Sequence, residues 1–315
     1  MVSVLSLIIG ASALLAAEVT TPACKVEVIV LGVGQDAGIP QIGNSGDPAW
    51  KDERLKRKAT SLALIDHRTD KRFLFEATPD IREQLVMLDA AAPSEEGSLG
   101  LSGVFLTHAH MGHYAGLLFF GFESASTTEL PVYAMPRMAE YLAANGPWSQ
   151  LVSFGNISLE SLADREAMEI GEDLTVTPYR VPHRDEYSET VGFMIDTPDR
   201  RVLFVPDIDS WAEWETEFGI RIEDMVERVD YAFVDATFYD DNELPGRDMS
   251  KIPHPRVTRT MELFAASPLA TRAKIRFIHY NHTNPIRFPD SPQYAAVKAG
   301  GYHIAEEGER LCMAD

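Results

Sequence analysis

Short apolar stretches rich in β-branched residues alternate along the chain with segments in which apolar residues recur every three or four positions. The first pattern is typical of buried strands and the second of amphipathic helices. The pattern predicts strands at residues 26–31, 61–65, 73–75, 103–106, 131–133, 174–181, 190–195, 202–205, 231–234 and 275–278. It predicts helices at residues 80–88, 113–119, 135–144, 211–218 and 257–265. This alternation through the whole length indicates an α/β protein.

The predicted strands fall into two clusters along the chain, and helices follow each cluster. This order favours two sheets packed face to face with helices outside, and functional side chains on loops at one rim. The sequence contains no low-complexity linker and no internal repeat. We therefore expect residues 25–315 to form a single domain.

The composition is that of a protein with a full hydrophobic core, since 45% of the 315 residues are hydrophobic and 24% are charged. Asp and Glu number 48 against 28 Lys and Arg, which gives a formal net charge of -20. A surface this negative repels nucleic-acid phosphates and anionic membranes. We therefore expect a small-molecule substrate and no nucleic-acid partner.

The start of the chain has the pattern of an export signal. Residues 1–17 carry no charge, and the apolar run 4–15 has the length of a signal-peptide core while being too short to span a membrane. We predict that residues 1–17 are a signal peptide and that the mature protein is periplasmic or secreted. No Lys or Arg precedes the apolar run. A buried first strand or an uncleaved anchor is the alternative.

Export changes the interpretation of the two cysteines, because an oxidising compartment allows them to pair. Cys24 precedes the first predicted strand and Cys312 lies close to the end of the chain. A bond between them would join the two termini and close a very long loop. Two unpaired, partly buried thiols are the alternative.

The most informative segment is 104–113, in which an apolar strand leads directly into His108, His110 and His113. A neutral imidazole is a common metal ligand. Three imidazoles on one turn would otherwise each need a separate hydrogen-bond partner. The spacing therefore predicts a metal site after this strand.

Other candidate ligands follow other predicted strands. His183, Asp207 and His279 each come directly after an apolar run. A single His at a strand end is more often structural, but a zinc-like ion needs ligands that converge from several segments. We therefore expect these three side chains to join the histidine cluster.

The order of these residues resembles the metallo-β-lactamase superfamily, whose hallmark is His-x-His-x-Asp-His followed by a distant His, an Asp and a final His. The corresponding residues are His108, His110 and His113 for the motif and then His183, Asp207 and His279. The resemblance implies a four-layered αββα sandwich, the metallo-β-lactamase fold, with the metal site at one rim.

Further segments resemble the pyrroloquinoline quinone biosynthesis protein B branch of that superfamily, over residues 28–313. The matching segments are 31–32, 38–41, 77–82, 116–118, 234–238 and 279–285. The histidine motif of that branch is eroded, whereas all the imidazoles are present here. We therefore expect a relative of that branch that has kept a hydrolase-type site.

Gly112 departs from the superfamily motif, because it stands at the position of the motif Asp. That carboxylate serves the second metal ion, so the resemblance implies one tightly bound zinc ion and a weaker second ion. The expected first site is His108, His110, His183 and Asp207, and the expected second site is His113, Asp207 and His279. Replacing Gly112 by Asp is then expected to restore the second site.

Two features of the metal site stay open in the sequence. His282 lies three residues after His279 and is an alternative final ligand if the loop turns inward. An imidazole-rich site also suits iron, so the type of ligand does not decide the metal.

Three side chains are candidates for catalysis. Asp207 would hold and orient the attacking water. His254 lies where phosphodiesterase members of the superfamily, such as ribonuclease Z, have a His that approaches the departing oxygen; capping the following helix is its alternative role. Asp36, in the glycine-rich loop after the first strand, would accept a proton or orient a ligand, although such turns also favour Asp for their geometry. We expect Asp235 to be structural.

Two functions from different classes remain. The first is a metal-dependent hydrolase that uses a metal-activated water on a small ester, phosphodiester or lactone. The second, which the resemblance implies, is a protein of pyrroloquinoline quinone biosynthesis that works with iron and oxygen or handles the cofactor. A protein that only binds a metal or a quinone is a third possibility.

Overall fold

The computed structural model describes residues 24–315, and the predicted signal peptide lies outside them. The described residues form two sheets of seven strands each. The first sheet has the strand order β14 (Arg310–Ala314), β1 (Val26–Gly32), β2 (Ser61–Asp66), β3 (Lys71–Phe75), β4 (Gly103–Phe105), β5 (Leu130–Ala134) and β6 (Ile157–Ser161). The second has the order β13 (His303–Ile304), β12 (Ile275–Ile278), β11 (Tyr231–Asp235), β10 (Arg201–Val205), β9 (Val191–Asp196), β8 (Leu174–Arg180) and β7 (Met168–Gly171).

Both sheets are mixed in the same way. Strands β3 to β6 are parallel in the first sheet, and strands β10 to β13 are parallel in the second. The remaining neighbours in each sheet are antiparallel. Because parallel strands end at the same edge, the loops after β3, β4, β10, β11 and β12 can meet at one rim.

The buried side chains of β1 show how the layers are arranged. Val28 and Val30 belong to the core between the two sheets, whereas Ile29 and Leu31 belong to the core under the helices. Successive side chains of a strand point to opposite faces, so a strand that is buried along its whole length must be covered on both faces. The inner core also holds Phe75, whose ring centroid lies 5.6 Å from that of Phe193 in the second sheet.

Helices cover the outer face of each sheet. Buried residues of α1 (Ile81–Ala91), α3 (Pro136–Ala144) and α4 (Trp148–Ser153) pack in the core of the first sheet's outer face. The core of the second sheet takes buried residues from α5 (Trp211–Phe218), α6 (Ile222–Glu227), α7 (Val257–Leu263) and α9 (Pro292–Ala299). The two short helices are α2 (Met111–Tyr114) and α8 (Leu269–Arg272). The predicted αββα sandwich is therefore confirmed.

The two ends of the described chain lie side by side in the first sheet. Strand β1 pairs antiparallel with β14, and the Lys25 amide donates to the Ala314 carbonyl at 2.8 Å. Cys24 and Cys312 form a disulfide with their Cα atoms 5.6 Å apart. The predicted pairing of the two cysteines is thus confirmed. Within residues 24–315, no helix has the length and apolar character needed to cross a membrane.

Candidate metal centre and active site

The candidate site lies at the rim where the parallel strands of both sheets end. Strand β4 leads through Thr107 to His108, β10 leads through Pro206 to Asp207, and β12 leads directly to His279. His183 follows β8 and comes to the same rim. The rim thus brings together side chains that are far apart in sequence, as the sequence predicts.

Asp207 is at the centre of the cluster. It is 4% exposed, and its Oδ2 atom faces four imidazole nitrogens. The Nε2 atoms lie at 3.3 Å for His183, 3.4 Å for His108, 3.7 Å for His113 and 3.9 Å for His279. Asp207 therefore belongs to two groups of possible metal ligands.

The first of these groups consists of His108, His110, His183 and Asp207, whose donor atoms all lie within 4.8 Å of one another. The Nδ1 atom of His110 is 2.9 Å from Nε2 of His108 and 3.1 Å from Nε2 of His183. Nitrogens of several imidazoles that face each other so closely need a cation or protons between them. Three imidazoles and a carboxylate are a ligand set that suits Zn²⁺.

The second group consists of His113, Asp207 and His279. Both imidazoles are buried, and among residues 24–315 their Nε2 atoms have no hydrogen-bond partner. A buried polar atom without a partner is costly, so an unpaired ring nitrogen aimed at a carboxylate fits a bound cation. The residues present therefore fit a second metal ion as well as the first.

In four of these imidazoles the Nδ1 atom lies within hydrogen-bond distance of a side-chain oxygen. Thr107 Oγ1 lies 2.9 Å from His108 Nδ1, and Thr237 Oγ1 lies 3.1 Å from His279 Nδ1. Glu76 Oε1 lies 3.1 Å from His113 Nδ1, and Asp209 Oδ1 lies 2.7 Å from His183 Nδ1. Acceptors at Nδ1 place the proton there and leave Nε2 free for a metal.

Glu76 and Asp209 were not among the sequence candidates. Glu76 directly follows β3 and is fully buried, and it also accepts a 2.5 Å hydrogen bond from the Thr107 hydroxyl. Its position at a strand end is the same signal that identifies His279. Asp209 lies two residues after Asp207, and its sequence carries no signal that separates it from an ordinary loop carboxylate.

His254 contacts the cluster through the other carboxylate oxygen of Asp207. Its Nδ1 atom lies 3.2 Å from Asp207 Oδ1 and 2.8 Å from Asp235 Oδ2. Helix α7 begins at Val257 with Arg256 at its N-cap, so His254 does not cap it. Asp235 has a structural role, because it accepts hydrogen bonds from the amides of Ile208 and Thr237 and also holds the ring of His254.

The charges of the cluster shift the pKa values of its members. Burial raises the pKa of Asp207, but the neighbouring His183, His254 and His279 outweigh it and hold that pKa well below its ordinary value. Burial lowers the pKa of His183, yet the charge of Asp207 and its hydrogen bonds raise it to about 9. Asp235 and Asp207 together overcome burial at His254 and raise its pKa to about 10.

The pKa values of two other buried imidazoles in the cluster shift in the other direction. Burial lowers the pKa of His279 to about 3, and Asp207 offsets this only in part. Burial also holds the pKa of His108 well below its ordinary value, and the charge of His113 adds to that effect. Neutral imidazoles are the form that binds a metal.

Gly112 is packed against the loop that carries Asp36. A Cβ atom at position 112 would lie 2.5 Å from both the Cα and the carbonyl oxygen of Asp36. The expectation that Gly112→Asp restores a carboxylate is therefore wrong, because backbone occupies the space that the new side chain needs. Asp36 itself is half-buried with a φ of 47°.

His282 takes no part in any group of possible metal-binding side chains among the described residues. Its Nδ1 atom lies 2.6 Å from the Oδ1 atom of Asn281, the preceding residue. His279, with a φ of 62° at the end of β12, is the imidazole that faces Asp207. Of the two alternatives for the final ligand, the geometry favours His279.

A cleft of about 830 Å³ adjoins the cluster on the side of His254. Its lining includes Arg184, Asp209, Trp211, Lys251, His254 and Arg259. The lining mixes cationic, acidic and aromatic side chains, which suits a small substrate with both polar and apolar parts.

Comparison with known proteins agrees with the fold. Residues 71–280 match the family described as the beta-lactamase superfamily domain. The match covers more than half of the chain, and the chain therefore belongs to this superfamily.

Within the superfamily, the chain resembles coenzyme PQQ synthesis protein B. It is 26% identical to that protein from Methylorubrum populi over 310 residues, which cover 90% of this chain and 99% of the relative. The structure of zinc-bound PqqB from Methylobacterium extorquens superposes with a TM-score of 0.73 at 24% identity, and covers 90% of this chain and 99% of that one. A diphosphatase of the PhnP family superposes with a TM-score of 0.58 at 19% identity, over 91% and 96% of the two chains.

Proposed function

We propose that the protein is a metal-dependent hydrolase, with zinc as its metal, that uses water to cleave a small ester, phosphodiester or lactone. The observation that carries this proposal is the convergence of imidazole Nε2 atoms on one oxygen of Asp207. When bound there, a divalent ion would polarise the substrate oxygen and lower the pKa of a water molecule to roughly 7.

The side chains of the site would bind the metal ions, orient the water and protonate the departing oxygen. His108, His110, His183 and Asp207 would hold the first ion, and His113, His279 and Asp207 would hold the second. Asp207 would also orient the attacking water. His254 is held by Asp235 and borders the cleft. It is therefore placed to donate a proton to the departing oxygen. Asp36 lies beside α2, against Gly112.

The hydrolase proposal is tested by turnover of zinc-loaded protein on three chromogenic substrates: a phosphodiester, a carboxylic ester and a lactone. We expect the wild type to hydrolyse at least one of them, a chelator to abolish turnover, and added zinc to restore it. His110→Ala should lose turnover, whereas His282→Ala should keep it because His282 lies outside both groups. Folded, zinc-loaded protein that turns over none of the three would contradict the proposal.

A second candidate is a role in pyrroloquinoline quinone biosynthesis, with iron and oxygen. The resemblance to coenzyme PQQ synthesis protein B along nearly the whole of that protein supports it. An imidazole-rich site with a carboxylate also accommodates iron. Oxygen consumption by iron-loaded protein, with no hydrolysis by zinc-loaded protein, would favour this candidate over the hydrolase.

We also propose that the protein is exported to the periplasm or secreted. The uncharged apolar start of the sequence supports this, and so does the disulfide between Cys24 and Cys312, which an oxidising compartment would maintain.

A further inference from the structure

The second group of metal-binding side chains has fewer protein ligands than the first. It offers two imidazoles, His113 and His279, together with Asp207, which the first group shares. A zinc site of four protein ligands would need one more donor near the two unpaired Nε2 atoms. In the superfamily motif that donor is the Asp that Gly112 replaces.

The loop that carries Asp36 is fixed beside both imidazoles. Gln35 donates from its backbone amide to the carbonyl of Tyr280, the residue after His279, at 3.1 Å. The Tyr280 amide returns a hydrogen bond of 3.1 Å to the Val33 carbonyl. Two backbone hydrogen bonds thus tie the start of this loop to the chain that presents His279.

The other side of the same loop lies against α2, the helix that carries Gly112 and His113. Position 112 is so close to Asp36 that a Cβ there would lie 2.5 Å from its Cα. Gly112 directly precedes His113, and Tyr280 directly follows His279. The loop of Asp36 therefore contacts the chain next to both unpaired imidazoles. The absence of a side chain at position 112 is what allows the loop to approach this closely.

The carboxylate of Asp36 is available for a ligand. Within residues 24–315 it makes no ion pair and no side-chain hydrogen bond under 3.5 Å. Asp36 is not among the side chains of the second group, whose donor atoms all lie within 4.8 Å of one another, so its carboxylate would have to turn toward His113 and His279 to share an ion with them. Asp36 also takes up a φ of 47°, which Asp and Asn tolerate better than most residues.

We infer that Asp36 supplies the carboxylate that the motif Asp would otherwise provide, and that it completes a second metal site with His113, His279 and Asp207. The carboxylate would then come from Asp36 in the loop after β1, whereas in the superfamily motif it comes from the position that Gly112 occupies in α2. This inference rests on the proposed metal-dependent function, since it adds a ligand to the same centre.

The test is a zinc titration of metal-depleted protein, read as the number and affinity of bound equivalents. We expect the wild type to bind two equivalents, the second more weakly. Asp36→Asn keeps the size and the left-handed backbone preference of the residue and removes its charge. It should weaken the second site by about tenfold or more and leave the first unchanged, because even an indirect partner of a metal ligand is worth that much.

Three further variants make the titration decisive. Asp70→Asn is the matched control, because Asp70 also has a positive φ (54°) but lies exposed in the turn between β2 and β3; it should bind zinc as the wild type does. His113→Ala should lose the same equivalent that Asp36→Asn weakens. Asp36→Gly, which tolerates the same φ, should weaken it too.

The outcomes separate this inference from the proposed function. A second equivalent bound by Asp36→Asn and Asp36→Gly with wild-type affinity would overturn the role of Asp36, and so would a wild type that binds only one equivalent. Wild-type protein that binds no zinc at all would contradict the metal-dependent function itself. Cobalt substitution gives an independent measure, since loss of a carboxylate ligand at the second site should change the visible spectrum of the second cobalt and not that of the first.

Discussion

The side chains that hold the imidazoles decide how well each one can bind a metal. Asp209 Oδ1 lies 2.7 Å from His183 Nδ1 and accepts a hydrogen bond from the ring N–H, so that the Nε2 atom facing Asp207 keeps its lone pair. His183 is almost fully buried, whereas Asp209 is partly exposed. The orientation of His183 therefore depends on a side chain that is itself partly exposed to solvent.

We predict that Asp209→Asn weakens zinc binding at the first site by about 10–100-fold. The amide group of Asn can donate to His183 Nδ1, which would move the ring proton to Nε2 and block the metal. A competition titration against a chromogenic chelator measures the effect. Asp70→Asn is again the matched control, and stability should change little in either variant. An Asp209→Asn protein with wild-type zinc affinity would show that Asp209 does not set the tautomer of His183.

The sequence predicts the imidazoles better than it predicts their partners. His108, His110 and His113 are recognisable because three imidazoles after an apolar strand are difficult to satisfy in any other way. Asp235 looks structural in sequence, since a single carboxylate at a strand end has many uses. Its contact with His254 depends on a segment 19 residues further along the chain, and no local pattern reports such a contact.

At the scale of elements, the predicted strands are the inner ones. All ten strands that the pattern predicts correspond to β1 to β5 and β8 to β12. The four that it misses are β6, β7, β13 and β14, which are the outer strands of the two sheets. An edge strand is covered less completely, so its sequence is shorter or more polar and lacks the apolar run of a central strand. The pattern of hydrophobicity therefore reports burial rather than pairing.

The helix after the histidine motif also differs from its prediction. The pattern predicts one helix at 113–119, whereas α2 ends at Tyr114 and a 3₁₀ segment, Ala115–Phe120, follows. Gly116 lies so close to Thr78 that a Cβ would be 2.1 Å from the Thr78 carbonyl oxygen. Its amide donates to the Ala77 carbonyl at 2.8 Å, and the Ala77 amide donates to the His113 carbonyl at 2.9 Å. These long-range contacts fix His113, and helical periodicity carries no sign of them.

At the scale of the whole molecule, the two packed sheets position both the site and the ends of the described chain. The metal centre takes residues from both sheets, and the first and last strands of the described chain pair with each other. The disulfide spans 288 positions in sequence, so it constrains almost the entire unfolded chain. It should therefore matter for stability more than for the geometry of the site.

We predict that replacing Cys24 and Cys312 together by Ser lowers the free energy of unfolding by about 2–4 kcal/mol. Denaturant unfolding of the wild type and the double variant measures the difference, and the variant should still bind zinc. Thiol titration of denatured, unreduced wild-type protein is expected to detect no free thiol from this pair. Two free thiols, or equal stability of the two proteins, would contradict the role of the bond.

The central claim is that strand-end side chains gathered around Asp207 hold a metal ion. The most direct test is the zinc content of protein that has been loaded with zinc and dialysed, measured beside a thermal melt. We predict at least one zinc equivalent in the wild type and in His282→Ala, and loss of the tightly bound equivalent in a folded His110→Ala protein. Wild-type protein without zinc, or His110→Ala protein that retains its tight equivalent, would contradict the claim.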